Sequence, residues 1–188
     1  LVGPGMMRRA PHHPWTDEAI AIFRARANAT ARLIFELGIG SVQRPGDWPK
    51  FRWCDYDGEA LRITQGKTGI SLWLPCSQDL KRMLDATPRY GVSIISDADG
   101  RPFSYFKMAR IMREERKRCG LAEFALHALR YRGVQELAWA GCTDDEIAAF
   151  SGHASIAMIR KYAGEARQVM RARTAARKRQ MLTETRVT

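Results

Sequence analysis

Several features are missing from this 188-residue sequence. It has no CxxC pair, no carboxylate cluster suited to a Mg²⁺ site, no internal repeat, and no apolar run approaching the roughly 18 residues of a membrane-spanning helix. Cys54, Cys76, Cys119 and Cys142 stand far apart, so zinc binding is poorly supported and no disulfide framework is required; all four are read as reduced thiols. Arg8 and Arg9 are followed by no apolar signal core, and the chain is therefore expected to be soluble and cytoplasmic. It also lacks an initiator Met, which reads as a fragment. Acidic residues are in the minority, 20 against 31 Lys and Arg, for a formal charge of +11. That imbalance favours a polyanionic partner, nucleic acid or an anionic membrane surface, and by itself names no reaction.

Residues 1–13, with Gly3, Pro4, Gly5 and Pro11 and no hydrophobic period, read as a leader or linker. Thr16 is placed to cap a helix whose first turn holds Asp17 and Glu18, with Ile20, Phe23 and Ala27 at helical spacing; Leu33, Ile34 and Leu37 continue the helical pattern. Alternation predicts two strands, one through Leu61 and Ile63 and one through Ile70, Leu72 and Leu74, joined by the hairpin turn Gln65-Gly66-Lys67-Thr68-Gly69. A short helix over Asp79 to Leu84, an extended segment over Val92 to Ile95, and a basic helix from Ser104 to Arg118 follow. The last third is helical: Ala128 to Ala140 stopped by Gly141, a helix opened by a Thr143/Glu146 capping box and closed by Gly152, and a third from about Ser155. From Ala166 onward the segment is rich in Arg and only weakly amphipathic.

Chemistry concentrates in that last third. His127 and Arg130 share a face if their segment is helical, His153 directly follows a helix stop, and Tyr162 comes nine positions later. Singly, each has an ordinary structural reading, as a core His, a surface Arg, a cap His and a half-buried Tyr. In order, His127-x-x-Arg130, then Gly152-His153, then Tyr162 resemble the signature of the tyrosine recombinase, or phage integrase, family. Upstream, Gln43-Arg44-Pro45-Gly46-Asp47 followed by Phe51-Arg52-Trp53-Cys54-Asp55 resembles the family's first arginine box, and the Lys67 turn resembles its lysine-bearing hairpin. The resemblance runs from about Trp15 to Ala163. It departs from the usual pattern at Val42, where a turn glycine is common, at Asp47, where Glu is more frequent, and at Pro49, early in the following helix.

The resemblance implies an α+β, mainly α fold: a helical catalytic domain over 14–165 with a small antiparallel sheet, and a basic tail over 166–188. That tail is either a helix exchanged between protomers or a disordered segment holding phosphates. It implies double-stranded DNA as partner, a monomer when free and a tetramer on DNA, a nucleoid-associated location, and no metal or other cofactor. In the implied reaction Tyr162 attacks the scissile phosphorus and Lys67 protonates the departing 5′-oxygen. Arg44 and Arg130 neutralise charge gathering on the non-bridging oxygens, as forked guanidiniums can do bidentately. His153 donates to the same phosphate, and His127 either bonds an oxygen or helps remove the phenol proton, since a phenol with pKa about 10 needs that help. Asp47 is expected to orient Arg44. The cations of the basic helix, Arg110, Arg113, Arg116, Lys117 and Arg118, are expected to track DNA phosphates, with the solvated charged face as the alternative. Two other readings share much of this pattern: a type IB topoisomerase, using the same Tyr and Arg chemistry, and a catalytically idle DNA-binding regulator on the same fold.

Overall fold

The computed structural model describes residues 14–185, with side chains described through residue 182. The expected leader over 1–13 lies outside the described residues. Among them are seven α-helices, two short 3-10 helices and one two-stranded antiparallel sheet, the α+β, mainly α fold expected. No helix in this part is long and apolar enough to cross a membrane.

Helix α1 (Asp17–Arg26) starts at Thr16, whose hydroxyl accepts from the Ala19 N–H at 3.1 Å. The helical pattern that continues through Leu37 is broken at Ala27 and Asn28. Asn28 turns extended and caps a separate helix α2 (Ala29–Ser41), accepting from the Ala31 N–H at 2.9 Å, while buried Glu115 takes Asn28's own N–H at 2.6 Å. An Asn side chain that satisfies a new helix start outcompetes continuation of the old one.

Helix α2 ends at Val42, which adopts the left-handed conformation with φ 56° and ψ 22°. A β-branched residue there is strained by about 1–3 kcal/mol. The position where the family commonly has a turn glycine thus keeps a glycine's backbone. Packing holds it: Val42 is buried, and its methyl fills the space of a side chain absent at Gly133, where a Cβ would lie 2.7 Å from Val42 Cγ2.

Pro49 then sits in a 3-10 turn (Trp48–Lys50) instead of an α-helix, and a second 3-10 turn covers Trp53–Asp55. Strands β1 (Ala60–Thr64) and β2 (Ser71–Pro75) pair with Leu61 opposite Leu74 and Ile63 opposite Leu72. Helices α3 (Gln78–Ala86) and α4 (Tyr105–Arg118) follow, separated by an extended stretch in which Ser93 bridges to Arg52. The chain closes with α5 (Ala128–Trp139), α6 (Asp144–Ser151), which has the expected Thr143/Glu146 capping box, and α7 (Ile156–Thr185).

Two apolar clusters organise these elements. The larger centres on Trp15, whose ring lies 5.1–5.6 Å from Phe23, Phe35 and Phe124, and joins α1 to α4, the sheet and the start of α5. The smaller one, Val42, Val134, Ala138, Ile147, Ile159, Ala163 and Ala166, clamps α5, α6 and the first part of α7. Helix α7 runs unbroken across residue 165. Ala166 is still buried, and Arg167 bonds Asp144 and, at 2.9 Å, the Cys142 carbonyl; beyond it the side chains are mostly exposed.

Candidate active site

The seam between the two clusters collects the end of α2, the hairpin, the start of α5 and the α6–α7 junction. The inward positions of β1, Leu61 and Ile63, continue in period to Gln65 just past the strand, so the alternation delivers an amide where an apolar side chain would be expected. Gln65 is 1% exposed, and its Oε1 accepts from Arg44 Nη1 at 3.1 Å and from the Thr68 hydroxyl at 2.6 Å. Its Nε2 donates to Gln43 Oε1 at 2.6 Å and to the Ser151 carbonyl at 3.0 Å. Gln43, fully buried, donates in turn to the carbonyls of Ser41 and Phe150.

Gly152, next to this amide, has φ 65°, and a Cβ there would lie 2.4 Å from Gln65 Nε2. Glycine is required twice at that position, for its backbone and for the absence of a side chain.

Arg130, 1% exposed, projects from the first turn of α5. Its Nε and Nη2 reach His153 Nε2 at 3.3 and 3.1 Å, Nη2 also donates to the Ser151 carbonyl at 3.1 Å, and Nη1 is buried without a protein partner. Burial, then the neighbouring Arg44 charge, lowers its pKa to about 10. It stays charged at neutral pH, with both N–H groups of Nη1 unused. Arg132, two residues on, differs: its guanidinium is used by Glu136, Asp17 and the Trp15 carbonyl to tie α5 to the chain's start.

His153 Nδ1 donates to Ser151 Oγ at 2.6 Å, and that hydroxyl donates to the Ile147 carbonyl. With Nε2 accepting from Arg130, the imidazole is neutral, its pKa lowered to about 4 by burial and then by Arg130, Arg44 and His127. In this arrangement the Nε2 lone pair of His153 is taken by Arg130, so the ring does not hold out the N–H expected of a phosphate donor.

Tyr162 lies half-buried on α7, its ring centroid 6.5 Å from that of His153. It stacks at 3.9 Å and 22° on Tyr131, which meets the His127 ring edge-on at 4.9 Å. Burial and a hydrogen bond with Tyr131 raise the Tyr162 pKa above the ordinary phenol range, with Arg130 pulling the other way. Tyr131, Gln43, Gln65 and Ser151 had no role in the sequence reading. The signal for Gln65 was present, as a polar residue in the inward period continuing from β1; for Tyr131 it was the position four after His127.

Two expected roles change. Asp47 does not hold Arg44. Its Oδ1 accepts from the Gly66 N–H at 2.9 Å and from Lys50 Nζ at 3.1 Å, pinning the base of the turn that carries exposed Lys67, because the Trp48–Lys50 turn points the carboxylate at the hairpin. On α4, Arg110, Arg113 and Lys117 are exposed and make no ion pair or hydrogen bond among the described residues, but Arg116 and Arg118 are engaged. Arg116 donates to the carbonyls of Met112 and Phe124, and Arg118 to Glu115 and the Arg26 carbonyl. The buried face of α4, marked by Met108, Met112 and Glu115, draws both against the protein.

A model of the phage integrase family matches residues 16–168. The integrases of Escherichia phage lambda and Enterobacteria phage 434 are each 28% identical to this chain over 56% of its length and 33% of theirs. Among solved structures, a lambda integrase dimer bound to a COC′ core site superposes with a TM-score of 0.69 at 25% identity, covering 83% of this chain and 61% of that one. The XerA recombinase superposes at 0.73 with 17% identity, covering 92% of this chain and 67% of that one, a likeness of fold. The chain spans about a third of the length of the curated relatives it matches.

Proposed function

The chain belongs to the phage integrase family, and from that premise we propose that it is the catalytic part of a site-specific DNA recombinase. Tyr162 Oη attacks the scissile phosphorus as the bond to the 5′-oxygen breaks, giving a 3′-phosphotyrosyl link and a 5′-hydroxyl that takes its proton from Lys67. The 5′-hydroxyl of another strand reverses the step, so the bond energy is conserved. The observation that carries this reading is the buried Arg130 Nη1 without a partner, beside a second guanidinium and a tyrosine. A buried charged donor with nothing to bind is a site for an anion.

A phosphodiester brings the missing acceptor and offsets the repulsion between Arg44 and Arg130. Its negative charge also favours protonation of His153, turning that ring from acceptor of Arg130 into donor to the phosphate. Tyr162 enters as a neutral phenol, and His127, across the Tyr131 ring, takes its proton or bonds a phosphate oxygen. The exposed Arg110, Arg113 and Lys117 face of α4 contacts the DNA backbone. Lambda integrase has been seen as a dimer on a core site and a tetramer on a Holliday junction, which supports double-stranded DNA as partner and a tetramer as the working assembly here. A DNA substrate supports a cytoplasmic, nucleoid-associated location as part of the same proposal.

The test is a nicked suicide substrate, which traps the covalent adduct on a denaturing gel. The wild-type chain is expected to form it in the presence of chelator, and Tyr162→Phe to bind DNA without forming it. Adducts persisting in Tyr162→Phe, or cleavage that requires added Mg²⁺, would remove the assignment.

A further inference from the structure

We infer that Gln65 is a positioning residue that sets the placement of both arginines, a role resting on the reaction proposed above. A primary amide offers two acceptor sites and two donors. All four are used here, by Arg44, Thr68, Gln43 and Ser151. The Ser151 carbonyl that accepts from Gln65 also accepts from Arg130 Nη2. One amide and one carbonyl therefore connect the two guanidiniums across the seam between clusters.

The arrangement answers a specific electrostatic need. Arg44 and Arg130 repel each other, and nothing acidic is bonded to either of them among the described residues. A carboxylate in place of Gln65 would hold Arg44 more strongly, but it would neutralise charge needed by the phosphate, leave Gln43 Oε1 without its donor and leave the Ser151 carbonyl with Arg130 alone. A neutral amide fixes Arg44 by its carbonyl dipole while leaving the positive charge intact. Through Thr68 the same oxygen also registers the Lys67 turn against Arg44. Fully satisfied buried networks of this kind rigidify what they touch.

The experiment is a double-mutant cycle on the full chain, read as single-turnover adduct formation on the suicide substrate, with Kd for DNA and thermal unfolding measured alongside. Gln65→Met keeps the volume and removes every side-chain hydrogen bond. It is expected to slow cleavage ~100-fold, the scale for ångström misplacement of a reacting group, at nearly unchanged Kd. In an Arg44→Ala background the same change should cost only about tenfold, the part that acts through Arg130 and the Lys67 turn, because uncoupled effects multiply and coupled ones do not. Gln65→Glu, which restores an acceptor for Arg44, should recover part of the rate. Should Gln65→Met not fold, Gln65→Ala, whose cavity admits water to the orphaned groups, takes its place in the cycle. Equal slowing in both backgrounds, or wild-type cleavage by a folded variant lacking the amide, overturns the inference. Tyr162-dependent adducts from the wild-type chain are scored first. Their absence would remove the proposed reaction, whereas their presence with Gln65 and Arg44 uncoupled removes this inference alone.

Discussion

Gly152→Ala adds one carbon at a position with two separable costs, and Gly141→Ala measures one of them by itself. Both glycines have positive φ, 65° and 90°, but a Cβ at Gly141 would meet nothing within 4 Å, whereas one at Gly152 would press on the Gln65 amide at 2.4, 2.8 and 2.9 Å. The shared backbone cost is about 1–2 kcal/mol. A flexible side chain would normally swing aside, but Gln65 cannot do so without breaking its bonds to Gln43 and the Ser151 carbonyl. Each such neutral bond is worth about 1 kcal/mol net. Gly152→Ala should therefore destabilise by about 3–4 kcal/mol, some 2 kcal/mol more than Gly141→Ala, in urea unfolding followed by circular dichroism. Cleavage should separate the two further: Gly152→Ala is expected ~100-fold slow through the loss of Arg44's support, and Gly141→Ala near wild type. If the two variants unfold within about 0.5 kcal/mol of each other and cleave alike, the amide is free to move and the reasoning about the seam is wrong.

Three other outcomes are expected. His153 has a folded pKa of about 4 against roughly 6.5 unfolded, so the unfolded chain binds more protons between those values. Its contribution is complete above about 6.5 and lost as pH falls toward 4; the urea midpoint should decline across that window and the decline should flatten in His153→Gln, an identical slope counting against the assignment. Replacing Arg110, Arg113 and Lys117 together with Gln should reduce the log–log salt slope of DNA binding by about 3, at roughly 0.9 per phosphate contact. Arg116→Gln, whose guanidinium holds the Met112 and Phe124 carbonyls, should lower stability and leave that slope alone; the reverse pattern would exchange their roles. Lys67→Ala should cleave slowly on ordinary DNA and recover on a substrate with sulfur in place of the departing 5′-oxygen, because a thiolate leaves without a proton. Equal defects on both substrates would mean that Lys67 is not the acid.

What could be read from the sequence was what short range determines. The Thr143/Glu146 box, the Gly152 stop and the Thr16 cap are local hydrogen-bond patterns, and they appear where the residues place them. The strand pair was equally legible, its alternation being a property of consecutive residues. Asn28 was a cap signal lying between two apolar runs that both read as helical, so the boundary between α1 and α2 was not drawn. Asp47, Arg116 and Arg118 depended on which neighbour folding would bring, and charge alone cannot tell a DNA phosphate from a backbone carbonyl. Gln65 lay between these cases. Its position just past β1 continues the strand's inward period, but its four partners come from two other segments, Gln43-Arg44 and the end of α6, and from its own hairpin turn.

Helix α7 has a mechanical consequence. Tyr162 lies near one end of a continuous rod that extends 23 residues beyond it to Thr185, about 35 Å at 1.5 Å per residue. Arg167 holds the rod to the body by an ion pair with Asp144, and about that pair as a pivot five residues lie on the tyrosine side and eighteen on the other. A rigid rod turning there gears motion down, so a sideways push of about 4 Å at the far end becomes about 1 Å at the phenol. One ångström is the scale on which a reacting group is aligned or useless. Whatever grips the distal arm can thus shift Tyr162 into or out of line with Arg130 and His153 without touching any of the three.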